Sequence, residues 1–447
     1  MNYYDFGIRA WIAPGDQVNV IVHNSPAGSL RRPIAVPLDP AMLSQVHHTL
    51  FKSFHYGQEN TGWFQATGAW LGGLLLPAPI VALLKRSLQR VDPDGIRLRL
   101  CLDEDLIDLP WEYLVVQSPG DAEDMHSMAD LDGPNLQGFI ATNKRLSIVR
   151  EAPSLNPRYL PSTDQQRLVF AGGIYGDDTW QVKREFDLLH SELSELEAFL
   201  TIDQCIPARN SSVFDALSRD AAIFHYAGDV GDSGDDPIMV GDMPSTWKLD
   251  DLMAHPDHYI LASELGQMLQ NSHTRLAVFT ACNSGYWPFA KELLTRGLPA
   301  MIGFQGNMSV EAALHLSATL YKYLCSGLAL DEAVNTVRRF LARPGGGYGF
   351  LWGALMVYMP TPEPILLPRP ATAEIQALQG RIQQQPLSLH IERYIAAAEY
   401  REGDTVHGDK VGGDKVGGDK IEVGNVSNAS GIAFGRESRA AVTEPSA

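Results

Sequence analysis

The sequence is poor in cysteine and in basic residues. Its four cysteines, Cys101, Cys205, Cys282 and Cys325, lie far apart and form no CxxC pair. This disfavours a disulfide framework and a zinc site, and it suits a reducing cytosol. Acidic residues outnumber basic ones by 53 to 35, and the net charge is −18. Such a surface repels nucleic acid and anionic membranes. We therefore expect neither as a partner, and we expect no metal and no cofactor.

The chain also has little that indicates a membrane span or a secretory signal. Its longest apolar run, Leu71–Leu84, contains Pro77 and Pro79 and is shorter than the roughly 20 residues that a spanning helix needs. The N-terminus, MNYYDFGIRA, has neither the basic nor the apolar region of a signal peptide. We therefore expect a cytoplasmic protein.

Short apolar runs alternate with helical patterns between residues 161 and 360. The predicted strands are Leu168–Ala171, Ala222–Tyr226, Leu276–Thr280, Ala300–Phe304 and Leu355–Tyr358. The predicted helices between them are Lys183–Leu200, Ser211–Ser218, Ser263–Leu269, Pro288–Arg296, Val310–Cys325 and Leu330–Leu341. This order predicts an α/β domain with a mostly parallel sheet and helices on both faces. In Lys183–Leu200 the glutamates between the apolar positions are predicted to face water.

Residues 1–160 are predicted to form an N-terminal α+β unit. Its predicted strands and helices are Phe6–Ile12, Val18–His23, Met42–Phe54, Ile80–Val91 and Gly95–Leu102. The strict alternation in IRLRL predicts that the last of these strands is half exposed. In LPWEYL, Pro110 followed by Glu112 predicts the start of a helix, with Trp111 and Tyr113 packed on the sheet.

The composition changes after residue 360. A proline-rich and helical connector covers residues 361–401, and residues 436–447 are predicted to be disordered. Between them, residues 402–435 repeat every five residues, with valine or isoleucine as the recurring apolar residue and Gly-Asp-Lys three times. Two interpretations stay open: a small β-solenoid completed by copies from other chains, which would make a homo-oligomer, and a flexible polar tail.

Cys282 is the strongest candidate for a chemical role. It ends the buried run that begins at Leu276, and it is followed by the polar turn Asn283-Ser284-Gly285 and a helical pattern. Open α/β sheets place reacting groups at the carboxyl ends of their strands. A cysteine nucleophile also needs a base and oxyanion donors, and the backbone N–H groups after the cysteine can supply the donors. The alternative is a small buried core residue.

The base should come from the end of a neighbouring strand. His225, in the predicted strand AIFHYAG, is the only histidine so placed, and Asp229 follows it four residues later.

Several stretches resemble one known family. They are LPWEYL at 109–114, IFHYAGDVG at 223–231, TACNSG at 280–285 and the helix at 330–341, supported by SPAG at 25–28, RGLPAMIGFQ at 296–305 and WGALMVYM at 352–359. Their order and spacing resemble the CHAT family of caspase-like domains, which are related to caspases and separases. The resemblance covers roughly residues 1–360. It implies a caspase-like α/β fold and peptide-bond hydrolysis by a His–Cys dyad, with Cys282 at the nucleophile position.

The sequence departs from that family at the base. The family pattern reads His-x-Ala-x-His-Gly, and its second histidine is the base; here Asp229 and Val230 occupy the last two positions. His225 precedes Asp229 by four residues, or about 13 Å of extended strand, so we predict that it is a packed or hydrogen-bonded strand residue. A carboxylate at 229 would raise the pKa of Cys282. We therefore predict a degraded domain with little or no peptidase activity.

An acidic run follows, formed by Asp229, Asp232, Asp235, Asp236 and Asp242. It could bind a cation, although its spacing is not that of an EF-hand. In a caspase-like fold, Asp232, Asp235 and Asp236 could instead bind a basic peptide side chain. The interpretation that we favour is a solvated acidic loop.

Two functional hypotheses result. The first is a non-catalytic scaffold or signalling partner that binds a protein or peptide; repeats like Gly408–Lys420 resemble tails of multidomain bacterial signalling and conflict proteins. The second is a cysteine endopeptidase in which another histidine, His255, His258 or His273, supplies the base to Cys282.

Overall fold

The structure is a computed structural model. It describes residues 2–52, 61–116, 138–152, 166–176, 179–193, 200–232, 236–306, 308–343 and 351–360. The predictions for the connector, the repeats and the C-terminal end lie outside the described residues, and so does the prediction for Asp235.

The described residues contain fifteen strands and eleven α-helices. The strands are β1 Tyr3–Ala13, β2 Gln17–Asn24, β3 Ile34–Pro37, β4 Gly95–Leu102, β5 Leu146–Glu151, β6 Gln166–Gly172, β7 Ile174–Tyr175, β8 Leu200–Cys205, β9 Ile223–Asp232, β10 Pro237–Val240, β11 Asp242–Met243, β12 Tyr259–Leu261, β13 Leu276–Cys282, β14 Met301–Phe304 and β15 Leu355–Tyr358. The helices are α1 Pro40–Lys52, α2 Thr61–Leu75, α3 Ala78–Arg90, α4 Glu104–Ile107, α5 Thr179–Leu193, α6 Asn210–Leu217, α7 Leu249–Met253, α8 Ala262–Asn271, α9 Trp287–Leu294, α10 Val310–Cys325 and α11 Leu330–Leu341.

Thirteen of the described strands form one sheet. Its path runs β8-β6-β9-β13-β14-β15-β5-β4-β1-β2-β3, and the end of β9 adds β10 and β12. Strands β6, β9, β13 and β14 pair in parallel, as do β15, β5, β4 and β1. The predicted α/β class with a mostly parallel sheet is therefore confirmed. Strands on both sides of residue 160 share this sheet through the pair Tyr358 and Arg150.

The buried apolar runs gave correct strand positions at the centre of the sheet. Leu276–Thr280 lies in β13, and every residue of that prediction is buried. Leu355–Tyr358 matches β15 residue for residue. The helix prediction over Lys183–Leu200 was too long, because α5 ends at Leu193 and Leu200 begins β8.

The predicted helix at LPWEYL begins where expected but extends for only one turn. Residues Trp111–Tyr113 form a single 3₁₀ turn. The guanidinium of Arg150 donates hydrogen bonds to the carbonyls of Ile107 and Leu109 just before that turn. Leu114 then has φ −49° and ψ 128°, so the chain leaves the helical conformation after one turn. The predicted packing of Trp111 and Tyr113 is correct, since neither side chain is exposed.

The prediction of a half-exposed β4 was wrong. Both faces of the strand are buried, including Arg97 and Arg99. Arg97 is paired with Asp331 at 2.8 Å and with Asp5 at 2.9 Å. A buried charge is tolerated when it is paired and hydrogen-bonded. The alternating pattern of the strand gave no information about these partners, which lie elsewhere in the chain.

Helices α2 and α3 contain the apolar run that was too short for a membrane span. Within the described chain no helix alone has the length and hydropathy to cross a membrane, although residues 62–75 and 78–90 would meet that test as a pair bent by 89°. In the structure, Leu71, Leu74, Leu75, Leu83 and Leu84 belong to the main hydrophobic core.

Candidate functional site

Cys282 is the last residue of β13, at the centre of the sheet. The parallel pairing of β13 with β9 runs from Leu276 opposite Ile223 to Cys282 opposite Asp229. Paired residues of neighbouring strands lie about 5 Å apart and point to the same face. The structure thus brings together two of the predicted site residues, the cysteine and the carboxylate that the sequence analysis assigned to the family's base position.

The environment of Cys282 disfavours its thiolate. Burial, with the Asp229 carboxylate as the second cause, raises the pKa of the thiol to about 12. The Met308 N–H donates a hydrogen bond to the sulfur at 3.4 Å and opposes this shift only in part. Because the thiolate is the nucleophile, this environment opposes the ionisation that a nucleophilic Cys282 would need.

The backbone donors after Cys282 are used within the fold. The Asn283 N–H donates to the Gly306 carbonyl at 3.0 Å, and the Gly306 N–H donates back to the Asn283 side-chain oxygen at 3.2 Å. The Gly285 N–H donates to the Phe304 carbonyl at 2.7 Å. The N–H groups of Asn283 and Gly285 were among the predicted oxyanion donors, and in this structure they hold the turn to Gly306 and to the end of β14.

His225 lies deeper in the sheet, opposite Val278, and has no exposed surface. Its Nδ1 is 2.8 Å from the Tyr321 hydroxyl, and its Nε2 is 3.0 Å from Glu185 and 3.1 Å from the Thr280 hydroxyl. Phe170 stacks on the ring at 4.9 Å. The order carboxylate, imidazole, hydroxyl is that of a catalytic triad, but both His225 and Tyr321 are sealed from solvent.

Glu185 is a residue that the sequence analysis assigned to solvent. It is 4% exposed, and its Oε1 accepts hydrogen bonds from Thr280 at 2.9 Å and from Ser317. Together with the His225 contact, this gives the carboxylate three polar partners, one each from β9, β13 and α10. A carboxylate on an otherwise amphipathic helix gives no sequence signal for this burial.

Each of the three alternative histidines contacts groups other than Cys282. His255 bonds to the Asp251 carbonyl and stacks on Trp247 at 4.4 Å, and His258 bonds to the Asp242 carbonyl at 2.8 Å. His273 pairs with Asp220 at 2.9 Å. It precedes β13, so the seven residues of that strand, about 20 Å, separate it from Cys282.

The described parts of the acidic run lie in and beside two antiparallel strands, β9 and β10. Strand β9 continues to Asp232, which pairs with Pro237 at the start of β10. Asp236 accepts a hydrogen bond from Ser263 at 2.5 Å, and Asp242 pairs with Arg209 at 2.9 Å. Among the residues that the structure describes, no group of three or more His, Cys, Asp or Glu could hold a metal ion.

Asp108 is a second residue that the sequence analysis missed. Its carboxylate accepts the Trp287 N–H at 2.7 Å at the start of α9, and its carbonyl accepts a hydrogen bond from the Gln305 side chain. It thereby ties the LPWEYL segment to the turn that follows Cys282. Burial raises the pKa of Asp108 to about 6. Its position directly before the LPWEYL motif is the sequence feature that could have marked Asp108 as a candidate.

The family of the chain follows from these elements and from direct comparison. The CHAT domain profile matches residues 65–359, a range that includes LPWEYL, β9 and the turn after Cys282. The chain belongs to the CHAT domain family, and the family resemblance predicted from its motifs is confirmed.

Comparison with solved structures finds the separase–securin complex of Saccharomyces cerevisiae. One crystal structure, at 2.6 Å resolution, matches with 12% identity over 64% of this chain and 17% of the separase chain, with a TM-score of 0.37. Another, at 3.0 Å, matches with 10% identity over 81% of this chain and 30% of that chain, with a TM-score of 0.44. This chain therefore spans less than a third of the length of those chains. Comparison with curated proteins finds no match.

Proposed function

We propose that this chain is a catalytically degraded CHAT domain that acts as a scaffold or signalling partner and binds a protein or peptide without cleaving it. The single observation that carries the proposal is the pairing of Cys282 with Asp229. The residue at the base position cannot take the thiol proton efficiently, and its negative charge opposes thiolate formation. The engaged backbone donors after Cys282 support the same conclusion.

The reactivity of Cys282 tests this proposal. At pH 7.5 a thiol with an ordinary pKa near 8.5 is about one-tenth thiolate, whereas a thiol with a pKa of about 12 is thiolate in only a few parts per hundred thousand. We therefore expect iodoacetamide to label Cys282 several thousand times more slowly in the folded chain than in the urea-unfolded chain. Labelling of each cysteine is followed by peptide mass spectrometry.

A peptidyl electrophile provides the decisive comparison. We expect a peptidyl acyloxymethyl ketone to leave the natural chain unmodified, as it leaves the Cys282→Ala variant. Rapid modification of Cys282 at neutral pH, abolished by Cys282→Ala, would overturn the proposal in favour of a cysteine endopeptidase with a non-standard base.

The scaffold role also includes assembly. We propose that residues 402–435 bring copies of the chain together. We also propose that the assembly works in a bacterial signalling or defence system, because the Gly-Asp-Lys repeats resemble the tails of proteins from such systems. Deletion of residues 402–447 should give a folded protein of lower mass by light scattering. An unchanged oligomeric mass would overturn the assembly part of the proposal.

A further inference from the structure

The side chain of Tyr226 lies along its own strand and reaches the backbone of Asp229. Its hydroxyl accepts the Asp229 N–H at 3.0 Å and donates to the Val240 carbonyl at 2.5 Å. It also lies 2.8 Å from the Asp229 carbonyl oxygen. The ring has no exposed surface, and burial raises the pKa of the phenol well above its usual value. The hydroxyl therefore stays protonated and keeps both roles, donor and acceptor.

Two glycines make room for this hydroxyl. A Cβ atom on Gly228 would lie 2.5 Å from the Tyr226 oxygen, and a Cβ atom on Gly173 would collide with the same oxygen. Gly173 belongs to the neighbouring segment after β6, where its N–H donates to the Ala227 carbonyl at 2.7 Å. The space for the Tyr226 hydroxyl thus depends on Gly173 and Gly228, which are distant in the sequence. A side chain at either position would overlap with the phenol.

The bound backbone is that of the residue opposite Cys282. Side chains alternate along a strand, so Tyr226 and Gly228 point to one face of β9 while Asp229 points to the other, beside Cys282. The contact from Tyr226 goes to the main chain of residue 229 and does not involve its side chain. The backbone at this position is therefore held in the same way whichever side chain it carries.

We propose that Tyr226 is a positioning residue that fixes the backbone of position 229 beside Cys282. The backbone position from which the family's base would act is thereby preserved, although the base itself has been lost. This inference deepens the proposed function, since it concerns the same pair of residues. It implies that an imidazole introduced at position 229 would lie next to the sulfur only while the Tyr226 hydroxyl is present.

The test compares the pH dependence of Cys282 labelling in four full-length proteins: the natural chain, Asp229→His, Tyr226→Phe and the double variant. Iodoacetamide labelling rates of Cys282 are measured by mass spectrometry between pH 6 and 10, and each midpoint is obtained from the rate at each pH relative to that of the fully ionised thiol in the urea-unfolded chain. We expect Asp229→His to lower the labelling midpoint by at least two pH units, which is at least a hundredfold gain near pH 7.5. In the double variant at least tenfold of that gain should be lost.

The pH midpoint separates positioning from a purely structural role. Tyr226→Phe should also lower the thermal midpoint. A loosening that exposed Cys282 would lower its labelling midpoint, because burial raises the pKa of the thiol, whereas loss of positioning raises the midpoint in the Asp229→His background. Tyr3→Phe is the control, because it also removes a hydroxyl bound to a backbone carbonyl, here that of Lys144 at 2.6 Å, far from Cys282. In the Asp229→His background it should leave the labelling midpoint unchanged.

Equal midpoints in Asp229→His and the double variant would overturn the inference, and so would an unchanged midpoint in Asp229→His itself. If the histidine variant does not fold, Asp229→Asn replaces it. Removal of the carboxylate charge should then speed labelling in the natural background and have a smaller effect with Tyr226→Phe; equal effects would overturn the inference. Fast labelling of the natural chain would refute only the proposed function, because the inference depends on differences between variants.

Discussion

Asp108 and His315 should give opposite contributions to the pH dependence of stability. Burial raises the pKa of Asp108 to about 6 from 3.8 and lowers the pKa of His315 to about 4 from 6.5. Between about pH 4 and 6 the folded state keeps the Asp108 proton that the unfolded state has lost, so stability falls as the pH rises. His315 has the opposite sign, because the unfolded state binds a proton that the folded state refuses, and stability falls as the pH drops.

The two effects have similar size. Each shift is a little over two pH units, which corresponds to about 3 kcal/mol of unfolding free energy for each residue. Their contributions should therefore nearly cancel in the natural chain. Asp108→Asn removes one of them, and the amide oxygen can still accept the Trp287 N–H. This variant should be more stable than the natural chain by up to about 3 kcal/mol at pH 7 and should lose that advantage by pH 4.

Urea denaturation at pH 4, 5, 6 and 7 measures this directly. His315→Gln serves as the matched variant, because its stability relative to the natural chain should rise as the pH falls from 6.5 to 4. If the curves of unfolding free energy against pH run parallel in the natural chain and Asp108→Asn, the carboxylate does not titrate in this window and the reasoning fails.

Two further predictions concern packing and buried charge, and urea denaturation measures both. Gly72→Ala should destabilise the protein by about 1–3 kcal/mol, because the new methyl would collide with the Val115 carbonyl; Gly62→Ala in the same helix meets open space and should cost nothing. Equal effects would show that α2 can shift. Glu112→Gln should cost about 3–5 kcal/mol, because two buried arginines lose their carboxylate. The exposed pair at Glu104 is the control, with at most about 1 kcal/mol for Glu104→Gln; similar losses in both variants would contradict the account.

The sequence predicted the centre of the sheet well and its charged interior poorly. Continuous apolar runs such as Leu276–Thr280 identify strands that are buried on both faces, whatever packs on them. Glu185 and Arg97 are polar, and their burial depends on partners from elsewhere in the chain: His225 for the first and Asp331 for the second. No local pattern contains that information.

The candidate site divides in the same way. The motif around Cys282 and the predicted departure at Asp229 could be read from the sequence, and so could the strands that carry them. The register that places the two residues side by side is seen only in the structure. The role of Tyr226 could not be recognised, because its hydroxyl reaches Val240 in another strand and occupies a slot at Gly173. These contacts exist only after the chain has folded.

The ion cluster of Glu112, Arg150 and Arg338 has a consequence for how this protein can be divided. Its members come from the LPWEYL segment, from β5 and from α11, and none of them is more than 1% exposed. A fragment that starts after residue 160 would retain Arg338 but lose both other members, together with the strand that borders β15. Such a fragment would carry an uncompensated cation in its interior and an open sheet edge, so it should aggregate, and biochemical work on the Cys282 turn requires both parts of the sheet in one polypeptide.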